Sequence, residues 1–154
     1  MLKNLKISNY ALIEKSDIDF SSGFSVITGE TGAGKSIILG ALGLLMGQRA
    51  DSKVIKANEK KCAVEAVFNI EGLQLEAFFS EHDIDYDAEE CILRREVSSN
   101  GKSRAFVNDS PVSASTLKLL AAEVIDIHSQ HQNLLMGREH FLLDILDAVA
   151  SNQE

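Results

Sequence analysis

The residues with the clearest chemical role form a glycine-rich loop that matches the pattern G-x-x-x-x-G-K-[ST]. They are Gly29, Glu30, Thr31, Gly32, Ala33, Gly34, Lys35 and Ser36. Glycines let the backbone turn tightly, so that successive N–H groups and a helix N-terminus face an anion. In such loops the lysine reaches the β- and γ-phosphates, and the hydroxyl after it binds Mg²⁺. The pattern therefore predicts a nucleotide phosphate site with Lys35 and Ser36 as its side-chain ligands.

The segments on both sides of this loop have the character that the site requires. Residues 24–28 (F-S-V-I-T) predict a short buried strand. Residues 37–46 are apolar nearly all round and predict a core helix that stops at Gly47. An ordinary glycine-rich turn is the alternative interpretation. The order strand, loop, helix favours the phosphate site.

The rest of the chain predicts an α/β domain that begins with strands. Strands are expected at 5–8, 13–20, 64–70, 91–97, 104–107 and 124–128. The Asn100-Gly101 pair predicts a hairpin turn between two of them. Further helices are expected at 73–82, from a cap at Ser113 or Ser115 to 122, and from 138 onward.

Composition and charge limit the partners of the chain. With 154 residues and a formal net charge of −8, it suits one domain without a broad DNA-binding surface. Two basic clusters are exceptions, and we interpret both as solvated faces, with a nucleic-acid or nucleotide contact as the alternative. They are Lys53, Lys56, Lys60 and Lys61, and Arg94, Arg95, Lys102 and Arg104. Without an apolar signal segment or a membrane-length stretch, the expected location is the cytoplasm.

The motifs of several nucleotide-binding classes are missing. The D-x-x-G and N-K-x-D motifs of GTPases do not occur, and no arginine lies between Arg49 and Arg94 to form a kinase lid. The sequence contains no L-S-G-G-type signature. Asp126 is the nearest candidate for the acidic residue of a Walker B strand, but Glu123 interrupts the apolar run before it. The nucleotide site looks half built.

Five segments together resemble one family over nearly the whole chain. They are 5–13 (L-K-I-S-N-Y-A-L-I), 28–36 with the phosphate loop, 41–50 (A-L-G-L-L-M-G-Q-R-A), 100–108 (N-G-K-S-R-A-F-V-N) and 126–135 (D-I-H-S-Q-H-Q-N-L-L). The family is RecN, the SMC-like, ABC-type ATPases of bacterial DNA repair. The phosphate loop is shared by many ATPases, whereas the D-I-H-x-Q-H element is quite specific to RecN.

The resemblance implies a fold and a domain organisation. In this family a long coiled coil splits the ATPase head in sequence, with Walker A in the N-terminal half. The signature and Walker B motifs lie in the C-terminal half. The expected fold is an α/β P-loop half-head with a mixed core sheet and an N-terminal antiparallel β subdomain. Residues 1–137 would form this lobe, and residues 138–154 a helix leading towards the coiled coil.

The resemblance also implies roles for particular residues. Gln130 would be the Q-loop glutamine that binds Mg²⁺ and supports catalysis with Lys35, and the cofactors would be ATP and Mg²⁺. His128 and His131 are expected to be packed beside the Q-loop, since no third metal ligand is evident. Arg49 and Lys56 are weaker candidates for nucleotide contacts.

The resemblance implies partners as well. They are the C-terminal half of the same head, a second head in an ATP sandwich, and DNA through the full-length assembly at the nucleoid, with no membrane. The isolated half is expected to lack ATPase activity. The alternatives are a self-contained P-loop kinase or NTPase that uses Asp126, and a non-catalytic nucleotide-binding or interaction module.

Overall fold

One six-stranded sheet organises the computed structural model, which describes residues 1–28, 32–49 and 51–127. The strands are β1 Leu2–Tyr10, β2 Ile13–Asp19, β3 Lys61–Phe68, β4 Cys91–Ser98, β5 Ser103–Val107 and β6 Ser110–Val112. Their order across the sheet is β2-β1-β3-β4-β5-β6, and each neighbouring pair is antiparallel. The pairing of β1 with β3 joins two strands that are distant in sequence.

Alternation of side chains gives this sheet one buried face. In β3 and β4, every second residue is buried and the residues between them are half-buried or exposed. Such alternation is expected for an antiparallel sheet with one face on the core. Both cysteines, Cys62 on β3 and Cys91 on β4, lie on the buried face and are free thiols.

Helices pack on the buried face. The helices are α1 Gly32–Leu45, α2 Glu76–Glu81 and α3 Ala114–Val124, and a short 3-10 turn covers Ser52–Val54. α1 contacts β1, β3 and β4, and α3 contacts β5 and α1. The phosphate-loop helix follows β2 and precedes β3 in the chain. Its contacts place it over β1, β3 and β4. None of the helices in the described ranges is both long and apolar enough to cross a membrane.

Most of the predicted elements are present with altered ends. The β4–β5 hairpin turns through Gly101, whose φ of +80° favours glycine. Gly47 ends α1 with φ +81°. Ser113, rather than Ser115, caps α3, because its Oγ accepts a hydrogen bond of 2.9 Å from the Thr116 N–H. The prediction missed β6, which contains Pro111 at the sheet edge, where its missing N–H is tolerated.

Two predicted strands, and with them the parallel part of the sheet, are absent from the described residues. Residues 24–28 have no regular structure, and Phe24 is 90% exposed. Residue 124 ends α3, residues 125–127 are irregular, and 128 lies outside the described ranges. A strand forms only when its backbone groups find partners. The α/β class and the antiparallel subdomain are confirmed. The predicted mixed sheet is not seen in the described residues, where every strand pair is antiparallel.

Candidate nucleotide-binding site

The phosphate loop opens α1, as the sequence predicts. The backbone of residues 32–34 already belongs to the helix, and Lys35 and Ser36 follow with exposed side chains. Gly29, Glu30 and Thr31 lie outside the described residues. No ion pair joins Lys35 to any residue of the described ranges. Within this part of the chain, no carboxylate neutralises the ammonium group.

The chemistry of these groups fits a triphosphate with its metal ion. The first turn of α1 carries no acidic residue, so no carboxylate there neutralises the positive end of the helix dipole. Helix N–H groups and the Lys35 ammonium suit phosphate oxygens. The Ser36 hydroxyl is an oxygen ligand of the kind that Mg²⁺ accepts. The described part of the loop is thus suited to ATP with Mg²⁺.

A close contact with β1 fixes the middle of α1. A Cβ atom built at Gly40 would lie 2.7 Å from the Tyr10 hydroxyl oxygen. Real Cβ atoms do not approach other atoms so closely, so glycine allows helix and strand to meet here. Tyr10 is only 7% exposed, and burial, with a smaller contribution from Cys62, raises its pKa. Its neutral hydroxyl is part of the wall against which the loop-bearing helix rests.

Arg95 holds the C-terminal end of α1. It is 5% exposed and is the one charged side chain buried among the described residues. Its Nη1 donates to the Leu44 carbonyl at 2.9 Å, and its Nε donates to the Ser103 hydroxyl at 3.0 Å. Burial lowers the pKa of the guanidinium group. Arg95 therefore links the last turn of α1 to strands β4 and β5.

The interpretation of Arg95 as part of a solvated strand face is wrong. It occupies the inward phase of the alternation in β4, together with Cys91, Leu93 and Val97. Arg94 occupies the outward phase, with its guanidinium carbon 4.3 Å from the centre of the Phe106 ring. The alternation of apolar residues was the signal that could have separated these two adjacent arginines.

The remaining candidate residues contribute less to the described site. Gln130, His128 and His131 lie outside the described residues. Asp126 is exposed in the irregular segment after α3 and does not end a buried strand. It lines a pocket of about 330 Å³ with Leu39 and Leu42 of α1. Its setting does not resemble that of a Walker B acid, which follows a core strand.

An exposed apolar surface lies on both sides of the loop. Phe24, Val26 and Ile27 before it are 90%, 69% and 41% exposed, and Leu39 after it is 45% exposed. Large apolar side chains exposed to this degree are candidates for an interaction site. We call these four residues the loop-flanking surface.

The fold brings the first basic cluster together with Lys102 and Arg104 of the second at one end of the sheet. The Ser99 N–H donates to the Lys60 carbonyl at 2.8 Å, and Lys61 is the register partner of Ser98. We call this region the basic end, and its side chains are Lys53, Lys56, Lys60, Lys61, Lys102 and Arg104. Lys56 is paired with Glu14 at 2.7 Å and Lys61 with Glu96 at 3.7 Å. The other four form no ion pair within the described ranges.

The opposite end of the sheet is strongly acidic. Residues 69–90, which connect β3 to β4, contain eight acidic residues and no lysine or arginine. The remaining 15 acidic residues equal the 15 lysines and arginines of the chain. Residues 69–90 therefore carry a formal charge of −8, and the rest of the chain, with the basic end included, sums to zero.

Fold and loop together define a P-loop ATPase head of the ABC/SMC type. A solved structure from work on ATP-driven dimerization and DNA-stimulated activation of SMC ATPases has the same fold, with a TM-score of 0.65 and 24% identity. The match covers 96% of this chain and 98% of that chain. A family model described as AAA domain matches residues 4–139, and the chain belongs to this family.

Sequence relatives refine this assignment. The chain is 38% identical over 154 residues to DNA repair protein RecN of Vibrio cholerae, and 41% identical over 158 residues to DNA repair protein RecN of Haemophilus influenzae. Both matches cover the whole chain and 28% of the relative. The resemblance to RecN is thereby confirmed, and the chain corresponds to the N-terminal part of a RecN-type head. It spans little more than a quarter of the length of these curated relatives.

Proposed function

We propose that this chain is the ATP-binding half of a head in a RecN-like ATPase that acts in DNA double-strand break repair and recombination. The observation that carries the proposal is the complete phosphate-loop sequence, whose residues from Gly32 onward open α1 with Lys35 and Ser36 exposed. The similarity to RecN proteins and the SMC-type fold support it. ATP turnover belongs to the assembled head, since no described residue serves as a Walker B acid.

The chain would hold ATP and Mg²⁺ through the residues of the loop. The backbone N–H groups of 29–34 and the Lys35 ammonium would bind phosphate oxygens, and Ser36 would bind Mg²⁺. Gln130 would be a second Mg²⁺ ligand and, with Lys35, a catalytic residue. When bound, the metal ion neutralises phosphate charge. The contribution of this chain is positioning and charge neutralisation.

Replacing Lys35 tests nucleotide binding. Lys35→Ala removes the ammonium group at the start of α1, so affinity for Mg·ATP should fall tenfold or more in isothermal titration calorimetry. Lys53→Ala, which removes an exposed lysine away from the loop, is the matched control and should bind as the parent does. Equal affinities of the parent chain and Lys35→Ala, with both folded, would refute the nucleotide site.

The loop-flanking surface supports a second part of the proposal, the C-terminal half of the head as a partner. Residues 24–28 have the apolar composition of a core strand but no strand partner among the described residues. A strand supplied by the other half would satisfy their backbone groups and cover Phe24, Val26 and Ile27. We propose that residues 24–28 become a strand of the complete head. The predicted helix at 138–154 lies outside the described residues and stays a proposal.

Co-expression with the C-terminal half of a RecN-type head tests this pairing. Phe24→Asp places a charge in the proposed contact and should abolish co-elution of the two halves in size-exclusion chromatography. Leu12→Asp is the control, because Leu12 is 80% exposed on the β1–β2 turn. The proposal fails if both variants co-elute with the partner as well as the parent does.

The charge distribution supports a third part of the proposal, contact with DNA. The basic end presents Lys53, Lys60, Lys102 and Arg104 without ion-pair partners among the described residues. Lysine and arginine at such a surface bind phosphates independently of sequence. The acidic segment 69–90 would repel DNA from the opposite end. We propose that DNA meets the engaged pair of heads at the basic end, in the bacterial cytoplasm.

The alternative of a self-contained NTPase finds little support. It depends on Asp126, which is exposed and lies in the irregular segment after α3. ATP hydrolysis by the purified chain at about 1 s⁻¹ or faster would favour this alternative over the half-head.

A further inference from the structure

We infer that Arg95 is a positioning residue for the phosphate loop: it sets the direction in which α1 presents the loop, without touching nucleotide. This inference rests on the proposed function, that the loop binds ATP. Three observations carry it, namely the burial of Arg95, the two acceptors that it joins, and the position of one of them at the end of α1.

A buried guanidinium group without a carboxylate partner is a costly way to fill a core position. Arginine stays protonated, and taking its charge out of water is unfavourable unless hydrogen bonds compensate. No ion pair reaches Arg95 within the described ranges, and its two bonds go to neutral oxygens. Apolar side chains of similar volume often stabilise a core as well or better. Stability alone is therefore a poor explanation of this arginine.

The positions of its two hydrogen-bond acceptors give a geometric reason for an arginine at position 95. The Leu44 carbonyl lies in the last turn of α1, where the helix dipole favours a positive charge. Ser103 begins β5, the strand on the far side of β4 from β3. The planar guanidinium group fixes the directions of both bonds. The end of α1 is thus tied in a defined direction to two strands of the sheet.

The distance between anchor and loop makes that direction important. Leu44 follows Lys35 by nine residues, about 14 Å along a helix axis. Over this length, a tilt of about 4° displaces the start of the helix by about 1 Å, and an error of about 1 Å from a remote mutation can cost on the order of 100-fold in rate. Gly40 against Tyr10 fixes one point of the helix, and Arg95 fixes a second. Together they determine where Lys35 and Ser36 lie.

Replacement of Arg95 by methionine leaves few unsatisfied groups. The Leu44 carbonyl still accepts from the Gly47 N–H at 3.2 Å, and Ser103 is exposed to water. Arg95→Met should therefore keep or raise the thermal midpoint, while it lowers affinity for Mg·ATP about tenfold. Arg95→Lys retains one bond to Leu44 but not the fork, so its affinity should stay within about threefold of the parent.

Arg94→Met is the matched control. Arg94 is the preceding residue of the same strand, points to the other face and lies against Phe106. Its replacement should leave nucleotide affinity unchanged. The measurements are calorimetric titration with Mg·ATP and thermal unfolding of the 154-residue chain and its three variants. The inference is overturned if Arg95→Met binds like the parent, or if affinity is lost only in proportion to a loss of stability.

Hydrogen exchange separates this inference from the proposed function. With no nucleotide added, Arg95→Met should exchange faster in peptides covering 35–45 and unchanged in those covering β3 and β4. If the parent chain binds no nucleotide, the proposed function fails, and this exchange comparison still decides whether Arg95 orders α1. Identical exchange in α1 for parent and Arg95→Met would refute the positioning role.

Discussion

Gly40 and Tyr10 set the separation between α1 and β1. Glycine inside a helix costs about 1 kcal/mol relative to alanine. The structure gives a reason to retain it, because a Cβ at this position would overlap the Tyr10 hydroxyl oxygen at 2.7 Å. The next ring atom, Cζ, is 3.7 Å away, which is an ordinary contact. The overlap is therefore with a single atom.

Removing that atom should reverse the effect of an alanine at position 40. Gly40→Ala alone should destabilise the chain by about 1–2 kcal/mol, because overpacking outweighs the gain in helix propensity. In the Tyr10→Phe background the same substitution should be neutral or stabilising by up to about 1 kcal/mol. A double-mutant cycle from urea unfolding measures this coupling. Additive effects would contradict the contact.

The elements differ in how far the sequence could predict them. The β4–β5 hairpin and α1 were predictable, since alternation, an Asn-Gly turn and a continuous apolar helix are local signals. The lack of a strand at 24–28 was not predictable, because strand formation depends on partners that the local sequence does not show. For α3, the sequence predicted only that Ser113 or Ser115 would be the N-cap.

Within the site, residue type and geometry gave different information. The phosphate-loop sequence predicted Lys35 and Ser36 as ligands because backbone cradle, cation and hydroxyl occur at fixed spacing. Nothing in the spacing indicated that Arg95 anchors α1, since this contact joins positions 44 and 95. The role of Gln130 depends on the resemblance to RecN and on residues outside the described ranges.

Charge separation is a property of the molecule as a whole. The acidic segment 69–90 and the basic end lie at opposite ends of β3 and β4, and the chain outside the acidic segment has a formal charge of zero with the basic end included. The net charge of −8 therefore describes neither end of the sheet well. The potential near the basic end is the quantity that a phosphate backbone would meet.

DNA binding should therefore depend on where lysines are removed and not on their number. Lys60→Gln with Lys102→Gln should weaken binding of a fluorescent duplex to the 154-residue chain about tenfold at low salt, and should reduce the salt slope by about 1 to 2. Lys3→Gln with Lys6→Gln changes the net charge equally and should have little effect, because Lys3 donates to the Glu89 carbonyl of the acidic segment at 3.2 Å and Lys6 is paired with Glu65 at 3.6 Å. Fluorescence anisotropy at several salt concentrations measures both. Equal losses in the two double variants, or no binding by the parent, would contradict a DNA contact at the basic end.

The two buried cysteines have a consequence for redox chemistry. Burial raises the pKa of the Cys62 thiol, and burial with a smaller contribution from Asp87 raises the pKa of Cys91 to about 12. The thiolate is the form that attacks oxidants, and at pH 7 a thiol with so high a pKa is almost entirely protonated. In the folded state both thiols behave as small apolar side chains. Both thiols should therefore react slowly with maleimide in the folded state, which leaves a low background for a spectroscopic label on an introduced surface cysteine.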